Sequence, residues 1–311
     1  MKLSIVTTFF QSAPYIEEFY RRVRAEAAKI TNDLEIIFVN DGSTDRSLEV
    51  ALELQKQDPR IRIVDLSRNF GHHKAMMTGL EHARGDFVFL IDVDLEEPPE
   101  ILGEFWTTLE RENADAAYGV QSPRHGPWLT RTLANLFYAL FKIFSDHPIP
   151  AHSLTARLMT RRYVDQLIRH KEHLSNMIGL WEVTGFKQTA VPVRKNPFKG
   201  STTYTFRRRL AAAVYAITAF SSKPLRMIAY LGFFMTLLSA VYAVELVGEY
   251  FVFGIAPTGW TSLIVSIWLL GGVILFCLGI IATYLAVIFV ETKNRPYTVI
   301  RQIYETGGGE R

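Results

Sequence analysis

The sequence predicts an α/β protein: a mainly parallel, doubly wound sheet with helices on both faces, followed by a membrane-embedded C-terminal part. Three observations predict it. Short β-rich runs alternate with amphipathic helical stretches in the N-terminal third, the rhythm of βαβ units. Acidic clusters stand where the second and fourth strands stop, and in open α/β sheets that edge binds ligands. Late in the chain, Pro224 to Phe253 and Trp260 to Val290 are almost wholly apolar, and each exceeds the roughly 20 residues that cross a bilayer core.

Each element has a local cause. Lys2 to Phe10 reads as a strand, because its apolar run is short and no small-residue cleavage site follows it, as a signal peptide would require. Ala13 to Lys29 reads as helix and Glu35 to Val39 as an apolar strand that ends at Asn40-Asp41-Gly42-Ser43-Thr44-Asp45. Ser47 to Gln57 is helical, Ile61 to Leu66 a strand, His73 to Ala83 helical and Phe87 to Ile91 a strand. Pro127 to Phe144 has amphipathic spacing that suits either a membrane-surface helix or core packing.

The two apolar stretches predict two membrane spans. Past the flanking Arg226, the charges inside them are Glu245 and Glu249, whereas a soluble helix of that length shows a polar stripe. Arg207, Arg208, Arg209, Lys223 and Arg226 precede the first span, and Lys293, Arg295 and Arg301 follow the second. The linker Gly254 to Gly259 carries no basic residue. The positive-inside rule then places both termini in the cytoplasm. The expected division is a soluble domain over 1–200, a juxtamembrane amphipathic helix over 201–223, a two-helix hairpin over 224–290 and a cytosolic tail over 291–311.

Composition narrows the function. A net charge of +3 over 311 residues argues against a nucleic-acid binder. The single cysteine, Cys277, permits neither an intrachain disulfide nor a cysteine-rich metal site. Neither G-x-G-x-x-G nor G-x-x-x-x-G-K-[ST] occurs, so dinucleotide and P-loop chemistry lack local support.

The stretch Phe89-Leu-Ile-Asp-Val-Asp-Leu-Glu-Glu-Pro-Pro-Glu100 carries the chemistry. If the backbone stays extended, alternation puts Asp92 and Asp94 on one side, able to share one ion. All-oxygen donors favour Mg²⁺ or Mn²⁺, ions held by one or two carboxylates plus substrate phosphates, which makes a nucleotide diphosphate the natural partner. A bare D-x-D also suits a turn ahead of Pro98-Pro99. Its place after a buried strand, one βα unit beyond Asn40-Asp41, favours the ion site.

At "EIIFVNDGSTDRSLEV", "VDLSRNFGHHKAMMTGLEHARGDFVFLIDVDLEEPPE", "YGVQSPR", "RLMTRRYVDQL", "GFKQTAVPVRK", "KPLRMIAYLG" and "ETKNRPYTVI" the chain resembles the polyprenyl-phosphate glycosyltransferases of glycosyltransferase family 2. The resemblance implies a GT-A fold and inverting transfer of a sugar from a nucleotide diphosphate, UDP-sugar favoured, to undecaprenyl or dolichyl phosphate for cell-envelope glycans. It implies that Thr8, Phe10, Asp41, Ser43, Arg68 and Asp92 surround the nucleotide sugar, with Asp41 reading the base. Asp92, Asp94 and Glu96 would hold the metal, with Asp92, Asp94 and Arg157 as catalytic residues. Arg131, Arg157, Lys199 and Arg207 would grip the acceptor phosphate. A two-pass protein of the bacterial inner membrane, assembled as a homo-oligomer such as a tetramer, is also implied.

The chain departs from the family pattern in three places. The family's D-x-x-D-F-R-L reads here His152-Ser-Leu-Thr155-Ala-Arg157-Leu158, so both aspartates are replaced. P-x-Y-N-E reads Thr8-Phe-Phe-Gln-Ser12, and G-E-S-K-Y reads Gly200-Ser-Thr-Thr-Tyr204. These changes leave the sugar open. A processive polysaccharide synthase would carry a Q-x-x-R-W motif and more spans, a silent scaffold would be favoured by loss of Asp92 or Asp94, and a lipid-carrier transport subunit would need several chains to assemble, since two spans make a poor translocation pathway. The motif is absent and both aspartates are present. His72-His73 looks like a metal pair, but adjacent residues diverge, and a loop role near the diphosphate or plain solvation fits equally.

Overall fold

The computed structural model describes residues 1–121, 153–171, 177–196, 221–253, 259–293 and 295–306. Arg131, His152, Lys199, Arg207, the stretch 127–144 and nearly all of the expected juxtamembrane helix lie outside them. The chain forms two compact units. One comprises Met1–Thr132, Ile149–Thr203 and Asn294–Arg311, and the other Leu133–Pro148 and Tyr204–Lys293.

The first unit is built on β1 (Leu3–Phe9), α1 (Ala13–Ala27), β2 (Leu34–Asn40), α2 (Ser47–Gln57), β3 (Ile61–Leu66), α3 (His72–His82) and β4 (Phe87–Leu90). It continues through α4 (Ile101–Glu112), β5 (Ala116–Gln121), β6 (Ser153–Thr160), α5 (Arg161–Leu167), α6 (Met177–Thr184) and β7 (Gln188–Val193). The chain returns to this unit at its end with β8 (Ile300–Tyr304). One eight-stranded sheet runs β7-β5-β6-β4-β1-β2-β3-β8.

The centre, β4-β1-β2-β3, is parallel, as the βαβ rhythm predicts. The flanks make the sheet mixed: β6 lies antiparallel between β4 and β5, and β8 antiparallel against β3. Alternation along the strands supplies both covered faces. Leu3, Ile5, Ile36, Phe38, Ile61, Ile63 and Phe89 join α1, α2 and α4 in one buried cluster with Phe19 and Phe105. The opposite face packs against α3 so closely that a Cβ on Gly79 would meet Val6 Cγ1 at 2.5 Å and Val39 Cγ2 at 2.9 Å. Glycine there lets the helix lie down on the sheet.

In the second unit, α7 (Lys223–Phe253) and α8 (Trp260–Thr292) coincide with the two apolar stretches. Among the described residues, Ser266–Thr292 is the one segment long and apolar enough to cross a membrane. The Tyr284 hydroxyl on α8 donates to the Ser221 carbonyl at 2.7 Å, just ahead of α7.

Candidate functional site

The site lies past the C-terminal ends of β1, β2 and β4. Where β2 stops, the Asp41 amide donates to the Phe9 carbonyl at 3.0 Å and locks that strand end to β1. The Asp41 carboxylate is turned toward the β3–α3 loop, where Oδ1 accepts the Phe70 amide at 2.7 Å and Oδ2 the Gly71 amide at 3.0 Å. Burial pushes the Asp41 carboxyl above its ordinary pKa, against the pull of those two hydrogen bonds and of nearby His72 and Arg68. Gly42 makes the loop approach possible. Its φ is +67°, and a Cβ would meet Asn69 N at 2.5 Å and Arg68 Cα at 2.8 Å.

The expectation that Asp92 and Asp94 share a face through extended backbone needs correction. β4 ends at Leu90, and Asp92-Val93-Asp94 sits in a turn. Val93 is buried beneath it, and Leu95 adopts φ +62°. A left-handed leucine costs about 1–2 kcal/mol, so packing around the turn must hold it. The Asp94 carboxylate caps the turn by accepting the Glu96 amide at 3.0 Å. Both aspartates still meet, because the turn, rather than the pleat, aims them into one cleft of about 310 Å³. Val93 and Thr8, Phe9, Phe10, Ser12, Asp41, Asn69, Gly71 and His72 complete its wall.

His72 is the residue that sequence reasoning left undecided. It opens α3, and its ring bridges the cleft: Nδ1 lies 3.0 Å from Thr8 Oγ1 and Nε2 3.1 Å from Asp92 Oδ1. Nδ1 is placed to share a hydrogen bond with the Thr8 hydroxyl, and Nε2 faces the Asp92 carboxylate at ion-pair distance. Burial opposes the charged ring, yet the hydrogen bond and charge of Asp92, with Asp94 and Asp41, raise the His72 pKa. Asp92 shows the complementary effect. Burial pushes it up, but His72, the Thr155 hydroxyl and Lys195 outweigh this and hold it below its ordinary value. Asp94 is raised, first by burial and then by the charges of Asp92 and Glu96.

The other expected residues fall around this centre. Ser43 accepts the Gln11 amide at 3.1 Å through Oγ and donates its own amide to Asn40 Oδ1 at 3.0 Å, so it shapes the loop beside Asp41. Arg68 stacks 4.1 Å above the Phe70 ring, in the same loop that holds Asp41. Glu96 pairs with Lys195 at 3.1 Å, and Lys195 also reaches Glu97 at 3.5 Å. Glu97 accepts the amides of Thr155 and Ala156 at 3.3 and 2.7 Å, fastening β6 to the aspartate turn. Nothing in the sequence alone paired Lys195 with these acids, since the contact spans about a hundred residues.

Arg157 lies in β6 opposite Leu90, one register step from the aspartate turn. It is wholly buried, with its guanidinium 3.0 Å above the Trp181 ring, and is not part of the cleft wall. Burial pushes its pKa down to about 9. Nε and Nη1 have no hydrogen-bond partner among the described residues.

A divalent cation fits this donor set in one way. Among the described residues no three His, Cys, Asp or Glu side chains are grouped to enclose an ion. Asp92 and Asp94 line the same cleft, and two carboxylates match Mg²⁺ or Mn²⁺ bound with the remaining positions left to substrate phosphates and water.

Comparison with known proteins agrees with this architecture. Residues 4–212 match the family model described as glycosyl transferase family 2. A Mycobacterium tuberculosis relative whose name says glycosyltransferase and nothing finer is 50% identical over 98% of this chain and 89% of its own length. The bactoprenol glucosyl transferase of Shigella phage SfII is 34% identical over 97% and 98% of the two chains, and an Escherichia coli prophage bactoprenol glucosyl transferase homolog is 32% identical over 97% and 99%. Among solved structures, a mannosyltransferase from Pyrobaculum calidifontis superposes with a TM-score of 0.50 at 17% identity, over 94% of this chain and 87% of that one, which supports the fold. The chain therefore belongs to glycosyl transferase family 2, among the relatives of the bactoprenol glucosyl transferases, and carries the family's GT-A-like α/β fold with a mixed sheet.

Proposed function

We propose that this glycosyltransferase moves a sugar, with inversion, from a nucleotide diphosphate sugar to a polyprenyl phosphate at the cytoplasmic face of a membrane. The observation that carries the proposal is the cleft itself. Asp41, from the end of β2, and Asp92 and Asp94, from the turn after β4, line one and the same cleft. That lining supports a reading with the nucleoside at Asp41 and the diphosphate at the aspartate turn. Full-length similarity to relatives named for bactoprenol supports a polyprenyl acceptor.

In this proposal Asp41 accepts the N–H of the base, while Thr8, Phe10, Ser43 and Arg68 wall or brace the nucleoside. Asp92 and Asp94 hold Mg²⁺ or Mn²⁺, and Glu96 stays with Lys195 unless donor binding frees it. The cation, when bound, supplies charge stabilisation for the departing diphosphate; the mannosyltransferase structure carries Mn²⁺ and GDP-mannose. His72 and Thr155 orient Asp92. Arg157 is our choice for the acceptor phosphate among the described residues, because a buried guanidinium with two unpaired nitrogens gains most from an anion. Arg131, Lys199 and Arg207 are assigned to the same phosphate. A phosphomonoester whose second pKa is about 6 is largely dianionic at neutral pH, so it attacks the anomeric carbon without a strong base. That is consistent with a threonine at position 155.

Two membrane crossings, rather than one, are part of the proposal. β8 pairs with β3, so the chain after α8 belongs to the same folded unit as Met1–Thr132 and Ile149–Thr203. If Ser266–Thr292 crosses, the chain must cross an even number of times to return. The 31-residue α7 supplies the second crossing, and Tyr230, Phe233, Phe234 and Val244 stand more than half exposed along it. Lipid would cover them. The test is incubation of purified protein with undecaprenyl phosphate, Mg²⁺ or Mn²⁺ and a panel of UDP- and GDP-sugars, followed by mass spectrometry of the lipids. One lipid-linked sugar, absent with EDTA, is expected. Sugar appearing on water or protein but never on lipid overturns the acceptor.

A further inference from the structure

Arg301 follows the apolar helices in sequence and, as far as charge counting goes, merely marks the cytoplasmic side. The structure gives it different company. β8 pairs with β3 through Val64↔Ile303 and Asp65↔Gln302, then skips to Leu66↔Ile300, so Arg301 is the extra residue of a bulge. Bulges re-aim side chains. Here the guanidinium reaches over the end of β3: Nη1 donates to Asp65 Oδ2 at 3.2 Å and Nη2 to the Ser67 carbonyl at 2.8 Å.

Asp65 is fully buried, and its other oxygen, Oδ1, accepts the Asn40 Nδ2 amide at 2.7 Å. Asn40 is buried as well, and its Oδ1 accepts the Ser43 amide at 3.0 Å. The direction of this chain is forced. The Ser43 backbone amide can only donate, so Asn40 must present its oxygen to Ser43, which leaves its NH₂ for Asp65. The segment thus held, Asp41-Gly42-Ser43, begins with Asp41, which lines the cleft.

We propose that Arg301 is a positioning residue for the nucleotide half of the donor site: the strand that follows the apolar helices fixes the Asp41 loop through Asp65 and Asn40. The inference rests on the donor-site assignment above, but the contacts that transmit it do not depend on which sugar or acceptor is used. Flanking contacts keep Arg301 in place. The Ser67 amide donates to the Val299 carbonyl at 2.9 Å, and the hydroxyls of Thr78 and Thr298 lie 2.9 Å apart. An exposed ion pair is worth little, yet this one neutralises a buried carboxylate, and removing one partner of such a pair leaves the other uncompensated.

The experiment compares wild type, Arg301→Gln and Arg301→Lys as full chains in detergent. Hydrogen exchange reads the loop 40–45, and titration calorimetry reads binding of UDP and of GDP, each with Mn²⁺ and without acceptor. In Arg301→Gln, exchange in the loop should rise at least fivefold while α1 and β4 stay unchanged. Affinity for the nucleotide that wild type binds should fall at least fivefold, KM for the sugar donor should rise in step and kcat should change less than twofold. Arg301→Lys should recover part of both. Unchanged loop exchange and affinity, or a uniform rise across the whole unit, overturns the inference. Wild type binding neither nucleotide would count against the donor-site reading, and the exchange data would still decide whether Arg301 holds the loop.

Discussion

Replacing Gly42 with Ala perturbs the contact on which the nucleotide end of the cleft depends. The new Cβ would press on the backbone of Arg68 and on Asn69 N at 2.5 Å, and backbone atoms cannot rotate aside as a side-chain tip can. The left-handed φ of +67° adds about 1–2 kcal/mol for any residue with a Cβ. Forcing one carbon into a filled site adds about 1–3 kcal/mol, for a total of about 2–5 kcal/mol. At about 2–4 °C per kcal/mol for a unit of this size, thermal unfolding in detergent should start about 4–20 °C lower. The Arg68–Gly71 segment must also move away from Asp41, so the two amide hydrogen bonds to its carboxylate stretch and nucleotide affinity falls with stability. Gly103→Ala is the control: it sits in α4 with nothing within 4 Å of the added carbon. It should gain up to about 1 kcal/mol from helix propensity. A Gly42→Ala protein that unfolds within about 1 °C of wild type and binds nucleotide normally would refute the packing argument.

His72→Ala removes both contacts of the bridging ring, and loss of such an orienting partner commonly costs about 10–100-fold in metal affinity or activity. Mn²⁺ titration of transfer activity should show that loss with the thermal midpoint little changed; unaltered Mn²⁺ dependence would remove the role given to His72. Asp58 tests pH linkage away from the site. Arg60 binds it through two hydrogen bonds of 2.8 and 2.7 Å, with the Tyr20 hydroxyl at 2.7 Å, and these hold its pKa well below the ordinary carboxylate range. A depressed folded-state pKa stabilises above the unfolded value of about 3.9 and loses that stabilisation as pH falls toward the folded value. Asp58→Asn should therefore lower the midpoint by a constant amount at pH 7 and pH 5, equivalent to about 1.5–3 kcal/mol, and by less at pH 3. A gap that widens at pH 3 would contradict the sign.

Much of the central sheet can be read from the chain because each element there is specified locally. α2 and β3 fall at the boundaries that apolar periodicity gives, and the aspartates announce themselves as polar residues stacked behind buried runs. Contacts made across long sequence distances could not be read this way. β8 has only five residues and acquires its meaning by pairing with β3, more than two hundred positions earlier. Thr155 reaches Asp92 because β6 inserts antiparallel beside β4, and Lys195, just past β7 and its pairing with β5, reaches Glu96 and Glu97. Arg157 carries the opposite lesson. Its place in a family motif was visible, whereas its burial against Trp181 depends on α6 and could not be.

Whether Asp92 and Asp94 form the site of transfer is read from lipid-product formation by Asp94→Asn beside wild type, with undecaprenyl phosphate, Mn²⁺ and the donor that wild type accepts, followed by mass spectrometry. Asparagine keeps the size of the side chain and can still accept the Glu96 amide, so the turn at Asp94 should survive and the thermal midpoint should stay close to wild type. The lipid-linked sugar should disappear while the protein remains folded. Product formation by folded Asp94→Asn at the wild-type rate would contradict that expectation, and the carboxylates behind β4 would then not be the site of transfer.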